Sequence, residues 1–114
     1  MAIQTVAEKN SLCAKYAADA LYGAIYTTAP GASAGTEPSG GSPAYARKSL
    51  SWSAPSGGVI TATAVFDVPA GTTIVGTGVH SAATAGTYID GNSVTSATFS
   101  TQDTVTVTFT FTQS

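Results

Sequence analysis

The chain has 114 residues and a formal net charge of −2, and only 9% of its residues are charged. This length is enough for one compact domain and short for two, so we expect residues 1–114 to form a single domain. Thr, Ser and Gly occupy positions that charged residues fill in most soluble domains. A neutral hydroxyl surface repels other molecules only weakly, and it is typical of a protein that packs against others.

The charge and cysteine content exclude several classes of site. The four basic residues form no cationic stripe, which argues against nucleic-acid binding. Cys13 is the single cysteine, so no disulfide can form within the chain. One cysteine and one histidine, His80, are too few ligands for a zinc site. No apolar run reaches the roughly 18 residues of a transmembrane helix. No basic segment followed by an apolar one marks a signal peptide, so we expect the protein to be made and assembled in a cytoplasm. We also expect no cofactor, no metal and no membrane partner.

The N-terminal region predicts one short amphipathic helix. Thr5 is followed three residues later by Glu8, which is the spacing of a capping box. Leu12, Tyr16 and Ala20 recur every four residues and therefore share one helix face. We expect a helix from about residue 6 to residue 18, lying on a sheet or in an interface.

The remaining chain reads as short strands separated by turns. Residues 20–28 are rich in Tyr and Ile and predict a first strand. Residues 29–43 form a loop of Gly, Ala, Ser and Pro without any hydrophobic period, and loops of this length are usually functional or mobile. Further strands are predicted at residues 47–54, 59–68, 72–82, 87–90, 93–100 and 104–112. Six or seven strands with one helix predict a mainly β fold, an antiparallel β-sandwich or barrel.

Three strands carry additional information. Residues 59–68 are apolar on both sides, which predicts a central strand. Gly76 and Gly78 in the next strand predict a bulge or the close approach of another backbone. Gly91-Asn92 predicts a turn between two short strands.

The last strand, "TVTVTFTFT", alternates without error from Thr104 to Thr112. Its Val and Phe side predicts a core face. Its Thr side carries no charge and no Pro, so the strand would promote aggregation if it were an exposed edge. We therefore expect the strand to be interior to its sheet, or its threonine face to be covered by another subunit.

No residue pattern indicates catalysis. The six carboxylates are scattered, and three of them, Asp67, Asp90 and Asp103, lie next to predicted turns. His80 and Ser81 are adjacent in a strand and point to opposite faces, so His80 is poorly placed as a base for Ser81. Trp52 is expected in the core, with a carbohydrate-stacking role as the alternative.

Seven residues are candidates for contact with another protein. Tyr45, Arg47 and Lys48 follow the long loop and place an aromatic ring beside two cations, a group suited to gripping a neighbouring chain, although a solvated strand start is the simpler interpretation. The other four candidates are His80, Thr106, Thr108 and Thr110.

Two segments of the chain resemble a group of small virion proteins of tailed bacteriophages, many from actinobacterial hosts. The segments are "SGGSPAYARKSLSWSAPSGG", residues 39–58, and "FDVPAGTTIVGTGVHSAATAGTYIDG", residues 66–91. The group has Leu-Trp or Leu-Tyr where this chain has Val79-His80, and Gly where it has Ala85. Proteins of this group are labelled tail-fibre-like, minor tail or capsid accessory proteins.

The resemblance implies a non-enzymatic structural protein of the virion. Our leading hypothesis is a capsid accessory (decoration or cement) protein that binds the major capsid protein and stabilises the assembled shell. The alternative is a minor tail, baseplate or fibre-attachment protein in contact with other virion subunits. More remote hypotheses are a carbohydrate-binding β-sandwich and a small hydrolase built around His80. We also expect self-association as a dimer or trimer.

Overall fold

A computed structural model describes residues 4–113 of the chain. Within this range the chain forms one α-helix and six β-strands. The elements are α1 (Val6–Asp19), β1 (Tyr22–Tyr26), β2 (Lys48–Ser49), β3 (Val59–Val68), β4 (Thr72–His80), β5 (Tyr88–Phe99) and β6 (Asp103–Thr112). The predicted mainly β fold with one short N-terminal helix is confirmed.

The strands form two antiparallel layers that share one core. The larger sheet has four strands in the order β2-β1-β4-β5, and the smaller sheet pairs β3 with β6. Ile25 and Val79 of the larger sheet pack with Phe66 and Phe109 of the smaller one. The rings of Phe66 and Phe109 meet edge to face, with centroids 6.3 Å apart. This is a sandwich arrangement, as the alternating apolar pattern predicted.

Strand β3 is not central, so that prediction was wrong. It alternates strictly: Ala62, Ala64 and Phe66 are buried, whereas Thr61, Thr63 and Val65 are exposed. Its only strand partner among the described residues is β6. The apolar character on its outer side comes mainly from Val65, which is 50% exposed, and one exposed valine does not make a second buried face.

The predicted turn at Gly91-Asn92 is also wrong, because both residues lie inside the single long strand β5. Gly91 pairs with Gly78, and Asn92 pairs with Thr77. A Cβ atom on Gly91 would stand 3.0 Å from the carbonyl oxygen of Thr77 and 3.1 Å from Pro30. The glycine is therefore required by close approach to its neighbours and not by a turn.

The glycines of β4 mark the predicted irregularity in the strand, but the groups that approach them most closely are side chains and not another backbone. The register of β4 against β5 shifts between Ile74 and Gly76, which marks an irregularity in the ladder. A Cβ atom on Gly78 would collide with the ring of Tyr26, and one on Gly76 would collide with Pro30. The predicted strand at residues 47–54 is much shorter than expected, since only Lys48–Ser49 pair within a sheet.

Helix α1 packs against the smaller sheet. The Thr5 hydroxyl accepts a hydrogen bond from the Glu8 amide at 3.3 Å, which is the predicted cap. The ring of Tyr16 stacks on Phe111 of β6, with centroids 3.9 Å apart. The Cys13 side chain is buried. Among residues 4–113, no helix has the length and apolar content to cross a bilayer.

Candidate interaction surfaces

The long loop between β1 and β2 covers the outer face of the larger sheet. Ile25 belongs to the core, so the next residue, Tyr26, points to the opposite face. There the Tyr26 hydroxyl lies 2.6 Å from Nε2 of His80. The loop is tied back to β1, because the Thr27 amide donates to the Thr36 carbonyl oxygen at 2.7 Å. The Tyr88 hydroxyl donates to the carbonyl oxygen of Gly31 at 2.8 Å, which holds the loop against β5.

A charged cluster secures the second half of this loop, and we call it the Glu37 clamp: Glu37, Tyr45 and Arg47. The Arg47 guanidinium donates twice to the Glu37 carboxylate, from Nε to Oε1 at 3.0 Å and from Nη2 to Oε2 at 2.8 Å. The Tyr45 hydroxyl donates to Oε1 at 2.7 Å. A bidentate Arg–carboxylate pair with a third donor is among the stronger polar arrangements in proteins.

Arg47 also holds the turn between β4 and β5. Its Nη1 donates to the carbonyl oxygens of Ala82 and Ala85, both at 2.9 Å. Ala85 has a φ of 53°, which lies in the left-handed region that favours glycine. This conformation gives a physical reason for the Gly that the resembling virion proteins carry where this chain has Ala85.

The clamp shifts the ionisation of its members. Burial by itself would raise the pKa of Glu37, but the hydrogen bonds from Arg47 and Tyr45 outweigh it and lower the pKa below its usual value. The hydrogen bond to Glu37 raises the pKa of Arg47. Burial and the Glu37 hydrogen bond raise the pKa of Tyr45. The clamp is therefore an ionised pair around a neutral phenol at neutral pH.

Lys48 lies apart from Tyr45 and Arg47, although the three are close in sequence. Successive strand residues face opposite ways, and the Lys48 ammonium reaches Asp67 of β3 at 3.3 Å. This pair links the larger sheet to the smaller one. The predicted group of one aromatic ring and two cations is thus divided between two faces, and both cations have acidic partners within the chain.

His80 is almost fully enclosed, with 3% of its surface exposed. Its ring lies between Tyr26 and Tyr88, with centroid distances of 6.1 Å and 5.6 Å. Burial lowers the pKa of His80, and the Arg47 charge adds to this effect. The neighbouring Ser81 hydroxyl accepts the Thr87 amide at 2.8 Å and belongs to the turn. His80 therefore lies beneath the surface loop.

The three candidate threonines are exposed on the outer side of β6. Thr106, Thr108 and Thr110 all belong to the solvent-facing set of this strand. The hydroxyls of Thr63 and Thr108 are 3.3 Å apart, a cross-strand pair on the β3-β6 surface. Two alternatives were expected for this strand, and the first, a position interior to its sheet, is wrong, because among the described residues β6 pairs only with β3 and is an edge strand. The second, a threonine face covered by another subunit, stays a prediction.

An open cleft separates β6 from β5 on this side of the molecule. It has a volume of about 220 Å³, and its walls include Thr77, Asp90 and Asn92 on one side and Val107 and Phe109 on the other. The Tyr16 hydroxyl approaches Oδ2 of Asp90 at 3.5 Å at one end of the cleft. Trp52 lies at the same end, but its Nε1 donates to the Ala20 carbonyl oxygen at 2.8 Å, and the ring packs edge to face on Tyr16.

Sequence reasoning missed Glu37 and Asp90. Glu37 is the single charge of the loop at residues 29–43, and Arg47 follows ten residues later. A single carboxylate in an otherwise neutral segment was the signal in the sequence that Glu37 has a basic partner. Asp90 was assigned to a turn and instead stands within β5. Within residues 4–113, no group of three or more His, Cys, Asp or Glu side chains is placed to hold a metal ion.

The fold and its surfaces define a small antiparallel β-domain in which Lys15, Arg47 and Lys48 form ion pairs within the chain. Its β5–β6 side is almost free of charge, so the domain belongs to a class suited to assembly with other proteins. A family model described as "Podophage GP4 fiber I protein gp80" matches residues 10–113, and the chain belongs to this family. It is therefore a structural protein of a phage virion. Membership in a structural family is consistent with the expectation that the chain is not an enzyme. No curated protein and no solved structure matches the chain.

Proposed function

We propose that this chain is a structural subunit of a phage tail fibre or of the site at which a fibre attaches to the tail. The observation that carries the proposal is the family match, which spans residues 10–113 and whose description names a fibre protein. This favours the tail and fibre alternative of the sequence analysis over capsid decoration.

The shape and surface of the domain support this role. Its dimensions are 47 × 22 × 22 Å, so it is about twice as long as it is wide. The segment from residue 91 to residue 113 contains one charged residue, Asp103, which leaves one long side almost neutral. An elongated module with a neutral side suits end-to-end or side-by-side packing in a fibre. Its partners are other tail or fibre subunits and further copies of itself, assembled in the cytoplasm of the host.

A carbohydrate-binding function receives less support. An aromatic platform for a sugar needs an accessible ring face, whereas the Trp52 ring packs against the core cluster and its N–H group is already bonded.

Counting and locating the protein on purified virions tests the proposal. Quantitative mass spectrometry would give copies per particle, with the major capsid protein as the internal standard. Gold-labelled antibody against this chain would give its position by electron microscopy. We expect a small number of copies and labels confined to the tail. Many tens of copies with labels spread over the head would overturn the fibre role and support capsid decoration.

A further inference from the structure

The outer edge of β6 carries the outward-pointing backbone hydrogen-bonding groups of its threonines. The Gln113 amide donates to the Gly58 carbonyl oxygen at 2.7 Å, one step beyond the paired residues Val59 and Thr112. In an antiparallel ladder, bonded and non-bonded pairs alternate. Val and Phe positions of β6 therefore bond to β3, and the N–H and C=O groups of its five threonines point away from it. Of these groups, the Thr104 amide already donates to Oδ1 of Asp103 at 2.8 Å. On the other strand, the Ser53 amide donates to the Thr61 carbonyl oxygen at 2.8 Å, as this alternation requires.

None of the usual devices protects this edge. Natural edge strands are guarded by Lys, by Pro, by bulges or by a covering segment. Strand β6 keeps one continuous register with β3 from Asp103 to Thr112 and contains neither Lys nor Pro. Within residues 4–113, no strand pairs with its outer edge.

We propose that this edge pairs with β6 of a second copy of the chain, antiparallel, about a two-fold axis at Thr108. In this register Thr104 faces Thr112 and Thr106 faces Thr110 of the other copy, while Thr108 faces its own counterpart. Every threonine then opposes a threonine, and every Val or Phe opposes a Val or Phe, because the alternation from Thr104 to Thr112 has the same binary pattern in both directions. In this register, the outward-pointing N–H and C=O groups of the threonines would form hydrogen bonds with those of the second copy.

Charge favours a second copy as the occupant. The only charged residue of β6, Asp103, opposes Gln113 of the other copy in this register. The two Asp103 carboxylates lie at opposite ends of the paired strands, about 34 Å apart at the usual rise per residue. No like charges meet across the interface, and two neutral edges approach without repulsion.

The unequal width of the two layers leaves room for one further strand beside β6 in the smaller layer. The smaller sheet has two strands and the larger has four, and β3 lies over β1 and β2. Strand β5 is left uncovered at the open cleft, where Val94 is 42% exposed. A strand added beside β6 would extend the smaller layer over β5. The resulting sheet, β3-β6-β6-β3, would run through both copies, and this inference holds whether the domain lies in a fibre or on a shell.

Single cysteine substitutions test the register. Opposed residues of a bonded antiparallel pair have Cα atoms about 5.5 Å apart, which suits a disulfide. Oxidised Thr108→Cys is expected to form a covalent dimer on non-reducing gels. Thr104→Cys is the matched control on the same exposed face, and its counterpart would be about 27 Å away, so it is expected to stay monomeric. An equal mixture of Thr106→Cys and Thr110→Cys is expected to give the mixed dimer. Cys13 is buried and common to all variants, and the parent chain gives its background.

Charge pairs test the same register without covalent bonds. Thr106→Lys with Thr110→Lys places like charges opposite each other twice, and sedimentation should show dimerisation weakened about tenfold. Thr106→Lys with Thr110→Glu alters the same two positions and places opposite charges together, so it should dimerise as tightly as the parent or more so. Thermal unfolding monitored by circular dichroism checks that both variants fold.

The results of these experiments either support or overturn the pairing of β6 with β6 of a second copy. Covalent dimers of Thr108→Cys but not of Thr104→Cys, with recovery by the Lys–Glu variant, support the pairing. A parent chain that is strictly monomeric at high concentration overturns it. Equal cross-linking of the two cysteine variants, or equal dimerisation of the Lys–Lys and Lys–Glu variants, overturns it as well.

Discussion

A single carboxylate, Glu37, organises the surface loop of this domain at the scale of individual residues. It joins Tyr45 to Arg47, and Arg47 in turn binds two carbonyl oxygens of the β4–β5 turn. The side chain of Arg47 is 11% exposed and that of Glu37 is 25% exposed, so the pair is shielded from water. Such a pair stabilises the fold only while both members are present, because the remaining charge would otherwise be stranded.

Replacing Glu37 by Gln should therefore destabilise the protein markedly. The change keeps the shape but removes the charge that binds Arg47, and we expect a loss of about 1.5–3 kcal/mol in the free energy of unfolding. Urea unfolding would measure it. Asp19→Asn is the matched control, because it breaks the exposed Lys15–Asp19 pair on the helix and should change stability by less than about 0.5 kcal/mol. Equal effects of the two changes would contradict this role for the clamp.

The strands differ in how clearly their sequence reveals them. Alternation located β6 well, because one of its faces is more buried than the other. The bounds of β3 were predicted too, but the strand was expected to be apolar on both sides, whereas it alternates between buried and exposed residues. Strand β5 was divided in two at Gly91, because glycine is more common in turns than in strands. Its residues are mostly exposed on both faces, so no buried pattern marked it as one element. The two-residue strand β2 lies within the strand predicted at residues 47–54, so its alternation indicated a strand but overestimated the length.

Substitution of Gly78 tests how strand β4 packs against its neighbours. It allows β4 to lie against the buried ring of Tyr26, which a side chain at this position would displace. Gly78→Ala should lower the free energy of unfolding by about 1–3 kcal/mol through overpacking. Gly31→Ala is the control, because no atom lies within 4 Å of its Cβ position. Thermal unfolding of both variants decides the point, and a neutral Gly78→Ala would contradict the observed packing.

At the scale of the whole molecule, one side of the larger sheet is covered by the β3–β6 layer and the other by a polar loop. The loop side contains His80 and Glu37, whose pKa values are both lowered in the folded protein. A histidine with a lowered pKa binds fewer protons when folded than when unfolded, so stability falls as the pH drops below the ordinary value of 6.5. The contribution of Glu37 is complete above 4.5 and is lost as the pH falls below that value.

The protein should thus lose stability in two stages on acidification. Urea unfolding between about pH 7.5 and pH 3 would show a decline below about 6.5 from His80 and a further decline below about 4.5 from Glu37. His80→Gln keeps a polar partner for Tyr26 and should flatten the first stage only. Glu37→Gln should make the decline in the free energy of unfolding below about pH 4.5 less steep. An unchanged profile in His80→Gln would show that the imidazole does not control the first decline.

The sequence by itself determined the fold class, the position of the helix and the inner face of β6, since burial acts on a local alternation that can be read directly. Its two quoted segments also gave the class of protein, a virion structural component. Only the tertiary structure decided that Arg47 and Lys48 face different partners, that His80 lies beneath a loop and that β6 is an edge strand. These features depend on contacts between residues far apart in the chain, such as Glu37 with Arg47 and Lys48 with Asp67, and no local pattern encodes them. The same threonine alternation suits an interior strand and an edge strand, and only the order of strands in the sheet distinguishes the two.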